Sequence, residues 1–108
     1  MIQIPADRLS NLAQAIFLFG GSSEVEANQV AERLIEANLF GHDSHGVGMV
    51  PAYMEGIKSG ELKPGNDLTI ERDHGSFLLV NGNAGFGQII ANRTMKLAIA
   101  RAQELGVS

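Results

Sequence analysis

Apolar residues recur at helical spacing through the first forty positions of this chain. Leu9, Leu12, Ala13, Ile16 and Phe19 form one stripe, with Pro5 suited to a first turn and Asp7 near the positive end. Gly20-Gly21 closes that helix. Ser23 with Glu26 three residues on is a capping-box pattern, and Ala27, Val30, Ala31 and Leu34 continue on one face, so a second helix is predicted to about Leu39. The two stripes read as the core of a helical hairpin. Val50, Tyr53, Met54 and Ile57 give a third stripe within Val47–Lys58. Pro51 lacks an amide hydrogen and disfavours helical geometry at Val50, so the helix proper begins at Pro51 or is kinked there after a turn from His45.

Beyond Gly60 and the Pro64-Gly65-Asn66-Asp67 loop the period changes. Leu68–Arg72 and Ser76–Val80, separated by Asp73-His74-Gly75, read as two successive strands, a β-hairpin. Asn81–Gly87 is a glycine-rich turn. Gln88–Leu105 is a long helix with Ile89, Ile90, Met95, Leu97, Ala98 and Ala102 on its apolar surface, and Gly106 in place to end it. A helix laid on strands is ordinarily followed by another strand, and here the chain stops at Val107-Ser108, where one would begin. A two-stranded hairpin is marginal in water on its own. The expectation is therefore the front part of a larger protein, or a module that completes its sheet with another chain; 1–108 is read as one segment, with a helical subdomain over 1–60 and the start of an α/β part over 67–108.

Composition narrows the function classes. The 108 residues carry 44% hydrophobic and 19% charged residues and 13 glycines, an ordinary globular balance. With no cysteine there is neither a disulfide framework nor a thiolate metal site. The net charge of −4, with basic residues scattered singly, argues against nucleic acid or an anionic membrane as partner. The start Met1-Ile2-Gln3-Ile4-Pro5 has no signal-peptide character and no apolar run reaches spanning length, so a cytoplasmic location is expected.

The densest chemistry lies in Gly41-His42-Asp43-Ser44-His45-Gly46, two imidazoles, a carboxylate and a hydroxyl between glycines. His45 is the candidate acid/base group, since imidazole titrates nearest neutral pH. Ser44 as a helix cap would place His45 at the positive end of a helix dipole and favour the neutral base. The alternative is a polar connection histidine bonded to nearby backbone. His42, Asp43 and His45 are metal-ligand types, but the turn assures no shared face and no fourth ligand is identifiable, so no metal site is predicted. A serine hydrolase is disfavoured: adjacency of Ser44 and His45 does not aim one side chain at the other, and His42 replaces a glycine of the nucleophile elbow. Gly82, Gly85 and Gly87 lie where a dinucleotide fingerprint would, but their spacing is wrong for one and reads as a tight turn before a helix, whose free amides could still hold an anion. His74 reads as a turn residue.

The run Ala37-Asn38-Leu39-Phe40-Gly41-His42-Asp43-Ser44-His45-Gly46-Val47, followed by Pro51-Ala52-Tyr53, resembles the N-terminal region of the malate/L-lactate dehydrogenase family. The later runs Val80–Gln88 and Ala102–Val107 match the same pattern in order and spacing. Members are NAD(P)-dependent 2-hydroxyacid oxidoreductases of non-Rossmann type and are much longer than this chain. The resemblance implies an α/β fold for the whole, helix-rich in this segment, and a homodimer in the full-length form. It implies hydride transfer between NAD or NADP and a small 2-hydroxyacid or 2-oxoacid, with most of the cofactor site beyond Ser108 and the segment inactive alone. It makes His45 the proton donor and acceptor and puts Ser44 beside the imidazole or the substrate. Many members carry an arginine four residues after the histidine, suited to a carboxylate; here Met49 stands there as a substrate-binding position, so either the carboxylate is bound from elsewhere or the substrate differs, with a bulkier apolar group against Met49. A further histidine motif of the family lies past this chain's end and is the alternative owner, or a sharer, of the acid/base role. The competing class is a non-catalytic helical interaction module.

Overall fold

The computed structural model describes residues 2–107. It divides into two units, residues 1–65 and 66–108.

In the first unit α1 (Ala6–Phe19) and α2 (Glu24–Leu39) form the expected helical hairpin. Ser23 caps α2 by accepting the Glu26 amide at 3.1 Å. The reciprocal half of the capping box is not made. The Glu26 carboxylate is buried and accepts the Gly65 amide at 2.8 Å. The α2 stripe of Ala27, Val30, Ala31 and Leu34 is buried as its spacing requires. On α1 the buried residues are Ala13 and Phe17, whereas Phe19 is 91% exposed and Leu12 is also exposed. Positions 17 and 19 are about 200° apart around a helix of 3.6 residues per turn. Phe17, one turn beyond Ala13, therefore enters the core and Phe19 turns outward. The Phe17 and Tyr53 rings meet with centroids 6.2 Å apart.

The third helix, α3 (Val50–Ser59), starts one residue before Pro51, which falls in the first turn where its missing amide costs no hydrogen bond. The residues ahead of it are not a kinked extension. They form two separate 3-10 turns, Asp43–His45 and Val47–Met49.

In the second unit β1 (Thr69–Asp73) pairs antiparallel with β2 (Leu78–Asn81), and α4 runs from Gly87 to Leu105. Ser76 and Phe77 belong to the connection, which the His74 amide closes by donating to the Phe77 carbonyl at 2.9 Å. The register slips between Ile70 and Arg72, so Glu71 is a bulge residue. Its carboxylate accepts from the Asn81 amide group at 3.0 Å.

Arg101 of α4 grips Asp73 through two parallel 2.8 Å bonds and donates a third, also 2.8 Å, to the Gly75 carbonyl. Asp73 in turn accepts the Gly75 amide at 3.0 Å. The guanidinium first, and the Gly75 amide second, hold the Asp73 carboxyl well below the usual carboxylate range. Arg93 pairs with Asp67 at 2.7 Å and lowers its pKa in the same way. On α4 Ile89 is buried, but Met95, assigned by its spacing to the apolar face, is 60% exposed.

Candidate active site

The turn that carries the two histidines begins where α2 ends. Phe40 is the last cap residue and Gly41 takes φ +84°, a left-handed conformation that glycine reaches without a Cβ penalty. The Gly41 amide donates to the Asn38 carbonyl at 3.0 Å and the His42 amide to the Ala37 carbonyl at 2.8 Å. These two bonds are a Schellman closure, which uses the helix's last carbonyls and turns the chain sharply away from the helix axis. The His45 amide then donates to the His42 carbonyl at 2.9 Å, forming the first 3-10 turn.

Ser44 does not cap a helix. Its Oγ lies 3.0 Å from His45 Nδ1, so the neighbours in sequence do engage each other. That reverses the expectation that adjacency leaves the two side chains unaimed. A hydroxyl both donates and accepts, so it serves whichever form the ring nitrogen takes. With Nδ1 engaged, Nε2 is the nitrogen left for a ligand. Both residues are exposed. The His42 and His45 rings lie edge to face, centroids 6.4 Å apart. Among the described residues no group of three or more His, Cys, Asp or Glu side chains gathers to hold a metal ion.

Met49 closes the second 3-10 turn and is half-buried, its amide donating to the Gly46 carbonyl at 2.9 Å. It therefore follows His45 through successive hydrogen-bonded backbone turns. Four surface grooves are lined by other residues, not by Ser44, His45 or Met49.

Asn38 is the residue of this site that spacing did not single out. From the last turn of α2 its Oδ1 accepts the Val47 amide at 2.8 Å, and its Nδ2 donates to Asp43 Oδ1 at 2.8 Å. Gly46 is buried against it, and a Cβ there would collide with the Asn38 carboxamide. An asparagine near a helix end looks neutral in sequence, and only the fold shows that Gly46, which has no positive φ, is a glycine that makes room for it.

The glycine loop of the second unit does not fit a dinucleotide. The Gly85 amide donates to the Gly82 carbonyl at 3.0 Å, and the Asn83 amide to Asn81 Oδ1 at 2.9 Å. A Cβ on Gly85 would lie 2.6 Å from the Asn66 carbonyl oxygen. Gly85, and less tightly Gly82 against Ile90, thus permit the chain's own packing, whereas a Cβ on Gly87 at the start of α4 would meet nothing within 4 Å.

Comparison with known proteins agrees with this architecture. The family model for malate/L-lactate dehydrogenase matches residues 4–108, and the chain belongs to that family. It is 40% identical over 103 residues to hydroxycarboxylate dehydrogenase B of Escherichia coli O157:H7, a match covering 95% of this chain and 28% of that protein. It is 44% identical over 87 residues to malate/(S)-sulfolactate dehydrogenase of Methanothermus fervidus, covering 81% of this chain and 26% of the relative. Among solved structures, malate dehydrogenase of Pyrococcus horikoshii matches with a TM-score of 0.90 at 36% identity, over 97% of this chain and 30% of that one. The chain thus spans less than a third of the length of the relatives it matches. No helix among the described residues is long and apolar enough to cross a membrane.

Proposed function

We propose that this chain is the N-terminal segment of an oxidoreductase that interconverts small 2-hydroxyacids and 2-oxoacids, with His45 as the proton donor and acceptor. Family membership supports the reaction class, since the relatives are named malate, sulfolactate and hydroxycarboxylate dehydrogenases. The observation that carries the role of His45 is the 3.0 Å contact between Ser44 Oγ and His45 Nδ1. It orients the ring from one side and leaves Nε2 facing outward from an exposed turn.

A nicotinamide dinucleotide, NAD or NADP, supplies or accepts the hydride when bound. In the oxidising direction the substrate hydroxyl gives its proton to His45 Nε2 while the carbinol carbon loses hydride. In the reverse direction Nε2–H returns that proton to the carbonyl oxygen as hydride arrives at carbon. Ser44 holds the imidazole through both. Met49 borders the substrate where other members carry arginine, so the substrate carboxylate is gripped by groups other than this side chain. The enzyme works in the cytoplasm as a homodimer on a small-molecule substrate, and no nucleic acid or membrane takes part.

The test is His45→Ala in the complete enzyme. Its kcat is expected to fall by ~10²–10⁴, the usual worth of a positioned acid/base group, with KM for the oxoacid much less affected. A near-normal kcat assigns the proton to a different residue.

A further inference from the structure

We infer that Asn38 is a positioning residue for His45, acting through Asp43 and Val47, an inference that rests on the acid/base reading of His45. The neutral carboxamide makes one bond on each side of the Ser44-His45 pair. Its Nδ2 holds Asp43 at the entrance of the first 3-10 turn, and its Oδ1 holds the Val47 amide at the start of the second. His45 lies between these two anchors, and its own amide is already committed to the His42 carbonyl. The ring's direction is therefore set by the Asn38 clamp as well as by Ser44. Gly46 completes the device, because any larger residue would displace the carboxamide that makes both bonds.

The polarity of the clamp makes it separable from simple packing. Asp43 presents a carboxylate oxygen and Val47 presents an N–H, so residue 38 must donate on one side and accept on the other. A carboxamide does both. A carboxylate at 38 keeps the Val47 bond but sets like charge against Asp43, and exchanging the two residues restores both bonds with the first one reversed.

The experiment uses the complete enzyme and compares Asn38→Ala, Asn38→Asp, Asp43→Asn and the exchange Asn38→Asp/Asp43→Asn. Steady-state kinetics and the ¹⁵N signals of the His45 ring are read for each. Asn38→Ala is expected to lower kcat by ~10–10², the scale of loss when a reacting group is misplaced by about an ångström, with KM little changed. The two ring nitrogens of His45 should move toward the signals of an unrestrained imidazole. The exchange should return both kcat and ring signals toward wild type from the loss in Asn38→Asp. Unchanged ring signals in Asn38→Ala, or an exchange no better than Asn38→Asp, would overturn the inference. Shifted ring signals with an unchanged kcat keep Asn38 as the group that positions His45 and sink the acid/base reading instead.

Discussion

The two units of this chain hold their turns by different physics. Among the described residues, Ala13, Phe17, Ala27, Val30, Ala31, Leu34, Ile35 and Val50 are the buried apolar residues of the first unit, while the second has Phe86 and Ile89. The first unit hangs its histidine turn from a helix fixed by an apolar core, with one neutral carboxamide as clamp. The second ties its hairpin turn to α4 with an exposed charged fork from Arg101. Apolar burial neither titrates nor is screened by ions, whereas exposed ion pairs do the first and are subject to the second. The clamp residue of the histidine turn carries no charge of its own, although one of its two partners, Asp43, is a carboxylate.

Hollowing the first core should be the most damaging single change. Phe17→Ala is expected to cost ~3–5 kcal/mol, the range for removing a buried phenylalanine. Urea denaturation of the 108-residue chain followed by circular dichroism would measure it; a loss below about 1 kcal/mol would mean that the helices do not depend on that core.

A smaller effect is expected at Gly85, where the obstacle is the Asn66 carbonyl, a backbone atom that cannot swing aside. Gly85→Ala should cost ~1–3 kcal/mol as an overpacked site. The loss should be seen as faster hydrogen exchange around residues 81–85, with α1 and α2 unaffected. Exchange that quickens equally in both units would show that they unfold together.

The smallest and most conditional effect belongs to Asp73. Its pKa is depressed in the fold, so the stability it confers is present above the ordinary carboxylate pKa of ~3.9 and is lost as pH falls through the folded value. The Gly75 amide proton, bonded to Asp73, should therefore lose protection, measured against its intrinsic exchange rate at the same pH, under strongly acidic conditions and at high salt at neutral pH. Asp73→Asn should remove most of both dependences. Persistence of the acid effect in Asp73→Asn would place the titrating group elsewhere.

Much of this architecture is legible in the residues. The α2 stripe, the stops at Gly20, Gly60 and Gly106 and the two strands follow from local period and turn chemistry. Phe17 does not, because Ala15-Ile16-Phe17-Leu18-Phe19 is apolar throughout and offers the period nothing to discriminate. The partners of Glu26 and Asp73 lie 39 and 28 positions away, beyond the reach of any local pattern. In the candidate site, His45 and Ser44 stand out by residue type, and the family resemblance gives them roles. Asn38 escapes notice because its work consists of two bonds to a turn that sequence cannot fold in advance.

The bond from the Gly65 amide to Glu26 has a consequence for the chain as a polymer. It closes a loop of 39 positions that contains most of α2, both 3-10 turns and all of α3. Closing a flexible loop grows more costly only with the logarithm of its length, so one buried contact at its base restrains a long contour at little extra entropic cost. Everything between residues 26 and 65, His45 included, lies within one closed ring of chain. Glu26→Ala opens that ring, and a protease probing the stretch near Pro64 would be the first to register it.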